Sequence, residues 1–204
     1  MSQRDGALFA LDSLGQYELT LLLAQALLAG GELSAVTAAT LLDHALLRGS
    51  TDVQEDAISV LNDHASRMLT PFGVAMPGCL LTWTPTLPEY VREWTPFAFA
   101  EAMMARPVGV WSSKHHFNVN TVIAALCLAW TEEKVPRIKN GVGVILDALF
   151  QAFPETEEIL YHPKMAIDTL KIRKEVTGLQ SESACATELA QRLSRWMKAK
   201  AAAQ

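Results

Sequence analysis

Residues 7–29 read ALFALDSLGQYELTLLLAQALLA, and this stretch decides the fold class. Leu and Ala are good helix formers, and here they fall on nearly every side of a helical wheel instead of alternating as in a half-buried strand. The pattern predicts a helix buried on several sides, stopped by Gly30-Gly31. Its most apolar part, residues 19–29, contains Gln25 and is only about a dozen residues long, against the roughly 20 that a membrane crossing needs, so no membrane association is expected. Asp5 and Asp12 interrupt the apolar residues near the start, which does not fit a secretory signal.

Working outward, residues 34–48 read as a second helix ended by Gly49. Thr51-Asp52-Val53-Gln54 fits a capping box for a third helix running to about Leu69, with Val53, Ala57, Val60, Leu61, His64 and Met68 on one face. Pro71, Pro77, Pro85, Pro88, Pro96 and Pro107 then fall within 37 residues, alongside Trp83 and Trp94. That density argues against a long helix and leaves short ones over 88–94 and 97–104. Asn118 or Asn120 can cap the run 119–130, which is apolar all round and reads as the central helix of the second half. Pro136 suits a helix start, but Gly141 and Gly143 weaken it, so the firm part is 142–153. Pro154 and Pro163 open new segments; in the second, Met165, Thr169, Ile172 and Val176 make a stripe, with Gly178 as a left-handed cap. The last helix starts near Ser181 or Ser183 and buries Leu189, Leu193 and Trp196. The fold expected is all-α, an irregular multi-helix bundle of about seven to nine helices with a Pro/Trp-rich irregular segment in the middle.

The chain of 204 residues is half apolar and 19% charged, which excludes a disordered tail or a polyelectrolyte and suits a single helical domain. Its net charge of −5 is unevenly spread: residues 1–106 hold five Arg, no Lys and twelve acids, whereas residues 107–204 hold twelve bases and ten acids. A subdivision follows from this, with an acidic helical unit over 1–70, a Pro/aromatic-rich connecting segment over 71–118 and a mixed-charge helical unit over 119–204. Cys79, Cys127 and Cys185 are odd in number and far apart, which argues for a reducing, cytoplasmic setting and against a disulfide framework or a close-spaced zinc site.

Motifs that carry chemistry are scarce. Leu-x-Asp-His-Ala occurs at 41–45 and at 61–65, yet His44 falls on a polar strip and His64 on an apolar face, so the two are not equivalent. Neither Asp-His pair, at 43–44 or at 63–64, has the i, i+3 or i, i+4 spacing that converges on an ion, and no metal site is expected. Gly141-Val142-Gly143 lacks the third glycine and preceding strand of a dinucleotide loop, and no cofactor is expected. One polar cluster, residues 111–120, places Ser113, Lys114, His115, His116 and Asn118 before an apolar helix, where an anion could bind or a Ser and His could act together; a capped polar loop is the simpler reading. Lys134, Arg137, Lys139, Arg192, Arg195 and Lys198 could neutralise phosphates if the fold brings them to one face. With no catalytic constellation, the leading expectation is a non-enzymatic interaction or assembly protein acting through a protein partner or self-association. Trp83, Trp94, Trp111, Phe97 and Phe99 would be its anchors if exposed. The alternatives are a sequence-indifferent nucleic-acid-binding or coat-type protein, and an enzyme or anion-binding protein centred on residues 111–120.

Overall fold

The computed structural model describes residues 3–70, 73–105, 116–153, 168–181 and 183–202. These form an all-α multi-helix bundle. The helices are α1 (Gln3–Ser13), α2 (Tyr17–Ala29), α3 (Ala35–Arg48), α4 (Thr51–Asp63), α5 (Gly78–Leu81), α6 (Glu89–Met104), α7 (His116–Glu132), α8 (Pro136–Ala152), α9 (Thr169–Val176) and α10 (Ala184–Ala202). Residues 7–29 do not form one helix. Gly15 adopts φ +73°, a left-handed conformation open to glycine, and breaks the stretch into α1 and α2.

Local chemistry explains most boundaries. The Ser34 hydroxyl accepts the Thr37 N–H and starts α3, and Gly49 ends it as expected. The cap of α4 is Ser50, whose hydroxyl accepts from the Val53 N–H, not Thr51. Gln54 takes no part in a capping box; its amide donates to the Leu46 carbonyl of α3 at 2.6 Å. α4 also stops earlier than its apolar stripe suggested. A short 3-10 turn, Ala65–Arg67, follows, and then a minimal hairpin of β1 (Leu69–Thr70) and β2 (Gly73–Val74), antiparallel with Leu69 opposite Val74. Ser183 accepts from the Ala186 N–H at the start of α10, and Gly178 takes φ +77° after α9, both as the sequence implied.

The Pro-rich middle is more regular than expected. α6 runs unbroken for 16 residues with Pro96 inside it. An internal proline removes one helical hydrogen bond and costs about 3 kcal/mol. Here the Thr95 hydroxyl donates to the Val91 carbonyl at 2.8 Å beside the proline. Burial of Val91, Phe97, Phe99 and Met103 offsets the cost, each side chain removed from water stabilising by about 1.5–3 kcal/mol. α6 packs against α4, α7, α8 and α10 and forms the middle of the bundle. Trp83, Phe97 and Phe99 are core residues and Trp94 packs partly buried against them, so they are not exposed anchors; Trp111 lies outside the described residues.

α8 begins at Pro136 and continues through both glycines. Gly143 is there for space: a Cβ at that position would lie 2.5 Å from Trp130 Cζ3 and 2.7 Å from Leu179 Cδ1. Gly141, two residues earlier, meets nothing within 4 Å. The buried side chains form one cluster running from Leu8 of α1 to Leu193 of α10. Among the described residues no helix is long and apolar enough to cross a membrane.

Candidate functional site

Ser113, Lys114 and His115 lie outside the described residues, as do the side chains of His116 and Asn118, whose backbone forms the first turn of α7. Met165 and the acids Glu155, Glu157 and Glu158 lie outside them too. Because α7 starts at His116, Asn120 is a helical residue and not the cap. It is buried, and neither polar atom of its side-chain amide has a hydrogen-bond partner among the described residues.

The candidate basic residues lie on α8, on α10 and in the turn before α8. Arg137 reaches Glu93 at 3.3 Å and Glu89 at 3.6 Å in the first turns of α6. Arg192 pairs with Glu101 near the other end of that helix, with Nη2 2.8 Å from Oε2. Glu89 and Glu101 are twelve residues apart, about 18 Å along the axis at 1.5 Å per residue, so these two bases are held apart and each is neutralised. Lys139 stacks over Trp130 with its Nζ 4.9 Å from the ring centre, and Lys134 is exposed in the α7–α8 turn. Arg195 and Lys198 line a cleft of about 760 Å3 between α8 and α10, together with Asp147, Gln151 and Ser194. Both cations there are exposed, and the Asp147 carboxylate is already engaged by the Gly178 N–H and the Gln151 amide.

One ion pair is buried. Arg92 of α6 pairs with Glu133 in the α7–α8 turn, and Glu133 also accepts the Lys134 and Val135 N–H groups at 2.9 Å. Burial pushes the Glu133 carboxyl up, but the Arg92 hydrogen bond, the Val135 N–H and the Arg92 charge outweigh it and hold the group below the ordinary carboxylate range. Arg137 and Arg192 join bases of the second half to acids of the first, whereas the Arg92–Glu133 pair joins the halves in the opposite sense.

A histidine–carboxylate pair was not legible in the sequence. His44 Nδ1 of α3 lies 2.6 Å from Asp12 Oδ2 at the end of α1, and Asp12 Oδ1 is buried without a partner. Thirty-two positions separate the two residues, so no spacing rule signals them. A carboxylate can orient a histidine as a base, yet no hydroxyl or thiol among the described residues hydrogen-bonds the ring, so the pair acts as a clasp between helices. The buried thiols Cys79 and Cys127 give no nucleophile either. Burial pushes Cys127 up to about 12; burial and then the Asp43 hydrogen bond and charge push Cys79 up. Among the described residues no group of three His, Cys, Asp or Glu is placed to hold a metal ion.

The surface that departs most from expectation is α2. Leu21, Ala24 and Leu28 are buried on one side of it. On the opposite side Leu19, Leu22 and Leu23 remain 44%, 65% and 41% exposed, with Ala26 exposed in the same stripe. The positions repeat as i, i+3, i+4 and i+7, which is a continuous apolar face. Leu14, in the turn before the helix, is 72% exposed. Beside this stripe a groove of about 340 Å3 runs between α2 and α4, floored by Leu21 and Val60 and rimmed by Glu18, Asp56 and Asp63. Its Ser59 hydroxyl lies 3.3 Å from the Tyr90 hydroxyl of α6, whose ring is 39% exposed. Comparison of the chain with protein-family models, with curated proteins and with solved structures finds no match.

Proposed function

We propose that the chain is a non-enzymatic interaction protein that works through protein–protein contacts, with the outer face of α2 as its contact surface. The observation that carries this is the exposure of Leu19, Leu22 and Leu23 on a helix whose opposite side is already buried in the core. A helix that is apolar all round is stable in water only when every side is covered, and this one has a side that nothing in the described structure covers. The neutralisation of Arg137 by Glu89 and Glu93, and of Arg192 by Glu101, weighs against the nucleic-acid alternative, since phosphate would have to displace carboxylates. An intracellular, reducing setting suits Cys79 and Cys127, which are free thiols packed in the core.

The test is affinity purification of the wild-type chain and a Leu19→Ser/Leu22→Ser variant from the native cell, with light scattering of each eluate. The proposal expects a stoichiometric complex or an oligomer for wild type and a monomer for the variant, with the same helical circular dichroism in both. A wild-type chain that stays monomeric and carries nothing stoichiometric, like the variant, contradicts it.

A further inference from the structure

Resting on that interaction reading, we infer that the α2–α4 face takes one particular kind of partner: a basic amphipathic helix of another protein. The face has two chemically distinct strips. One is the leucine stripe of α2, about 10 Å long from Leu19 to Ala26, which matches two turns of an apolar helix face. The other is the groove rim, where Glu18, Asp56 and Asp63 stand with no ion pair among the described residues and no Lys or Arg among the groove's lining. Asp56 and Asp63 are seven residues apart on one side of α4, the same interval that separates Leu19 from Ala26 on α2. Leu22 belongs to both strips, because it is exposed on the stripe and also lines the groove. Arg4 of α1 is already committed to Glu32.

Charge decides between occupants. A second copy of the chain docking on the same face through a two-fold axis would set the rim carboxylates against their own images, a repulsive arrangement. Nucleic acid and an anionic membrane are repelled for the same reason. A helix of about three turns, with apolar residues at i, i+3, i+4 and i+7 flanked by Lys or Arg, satisfies both strips at once. Tyr90, exposed at the groove's end and hydrogen-bonded to Ser59, adds an amphipathic aromatic of the kind enriched in interface anchors.

The experiment measures fluorescence anisotropy of the full chain with two labelled synthetic helices of about sixteen residues that share one leucine face; one carries Lys and the other Glu on its flanks. The Lys peptide is expected to bind at least tenfold tighter, and more weakly as salt rises. Asp56→Lys/Asp63→Lys should reverse the preference. Glu132→Lys/Glu188→Lys, an equal change of net charge at exposed sites off the face, should leave it unchanged. Leu22→Ser should weaken the Lys peptide tenfold or more. Equal binding of both peptides, lost with Leu22→Ser, overturns the basic partner while leaving α2 a contact surface. Lys-peptide binding that responds alike to both charge reversals overturns it as a net-charge effect. Failure of both peptides to bind overturns it as well, and if the native-cell purification also gives a bare monomer the interaction reading falls with it.

Discussion

α2 and α8 are both mostly apolar and opposite in circumstance. α2 is built from Leu and Ala and α8 from Val, Ile, Leu and Ala, but α8 is enclosed by α6, α7, α9 and α10, with ten of its residues buried, whereas α2 is packed on one side and bare on the other. Their charged surroundings differ in the same sense. Around α8 the acids and bases meet, as in Arg137 with Glu89 and Glu93, and the buried Arg92–Glu133 pair closes the α7–α8 turn. Around α2 the acids Glu18, Asp56 and Asp63 have no ion pair among the described residues. The sign of a region's charge is therefore less informative than whether that charge is already partnered. In the slightly basic half Arg137 and Arg192 are already paired with acids; the acidic half is where exposed apolar surface coincides with carboxylates that have no ion pair among the described residues.

Perturbing the closed end should be costly. Glu133→Gln leaves Arg92, only 12% exposed, without its counter-charge, and should destabilise the fold by about 3–5 kcal/mol in urea denaturation at neutral pH. The sign with pH follows from the depressed carboxyl. The wild-type contribution is complete above the ordinary carboxylate value near 4.5 and drains away as pH falls through the lower folded value, so the gap between wild type and Glu133→Gln should narrow in acid. A gap that widens in acid would sink this account of the turn.

Packing at the same end gives a smaller effect with an internal control. Gly143→Ala forces a methyl against Trp130 and Leu179 and should cost about 1–3 kcal/mol. Gly141→Ala, in open space two residues away on the same helix, should instead stabilise by up to about 1 kcal/mol. Thermal melts of the two variants should move in opposite directions; matching shifts would mean that α7 and α9 do not approach α8 as described.

The smallest effect belongs to the bare end. Leu22→Ser should change folding stability by no more than about 0.5 kcal/mol, because the side chain is 65% exposed and leaves little behind. A loss of several kcal/mol would show that the leucine stripe is part of the core and remove the contrast between the two helices.

Local signals were legible where a single residue settles the geometry: Ser34 and Gly49 at the ends of α3, Pro136 at the start of α8, and Gly178 with its positive φ after α9. Hydrophobic periodicity also found the buried faces of α9 and α10. What stayed hidden depends on tertiary neighbours. Pro96 reads as a helix breaker until the burial around it is known, and Gly143 reads as a weakness until Trp130 is seen against it. Arg92–Glu133 and Asp12–His44 join residues far apart in the chain, which no spacing rule anticipates. The candidate surface was hidden by the same logic that identified the fold. Leucines all round a helix imply burial on all sides, and nothing in residues 19–26 marks which side the chain itself leaves open.

The most direct measurement replaces Leu22 with the photo-crosslinking residue p-benzoylphenylalanine in the native cell, with Glu188, exposed on α10, replaced in the same way as the reference position. The account predicts one discrete crosslinked species of defined mass from position 22 and none from position 188. No crosslink at position 22, or the same products from both positions, would contradict the claim that the outer face of α2 is where this protein meets its partner.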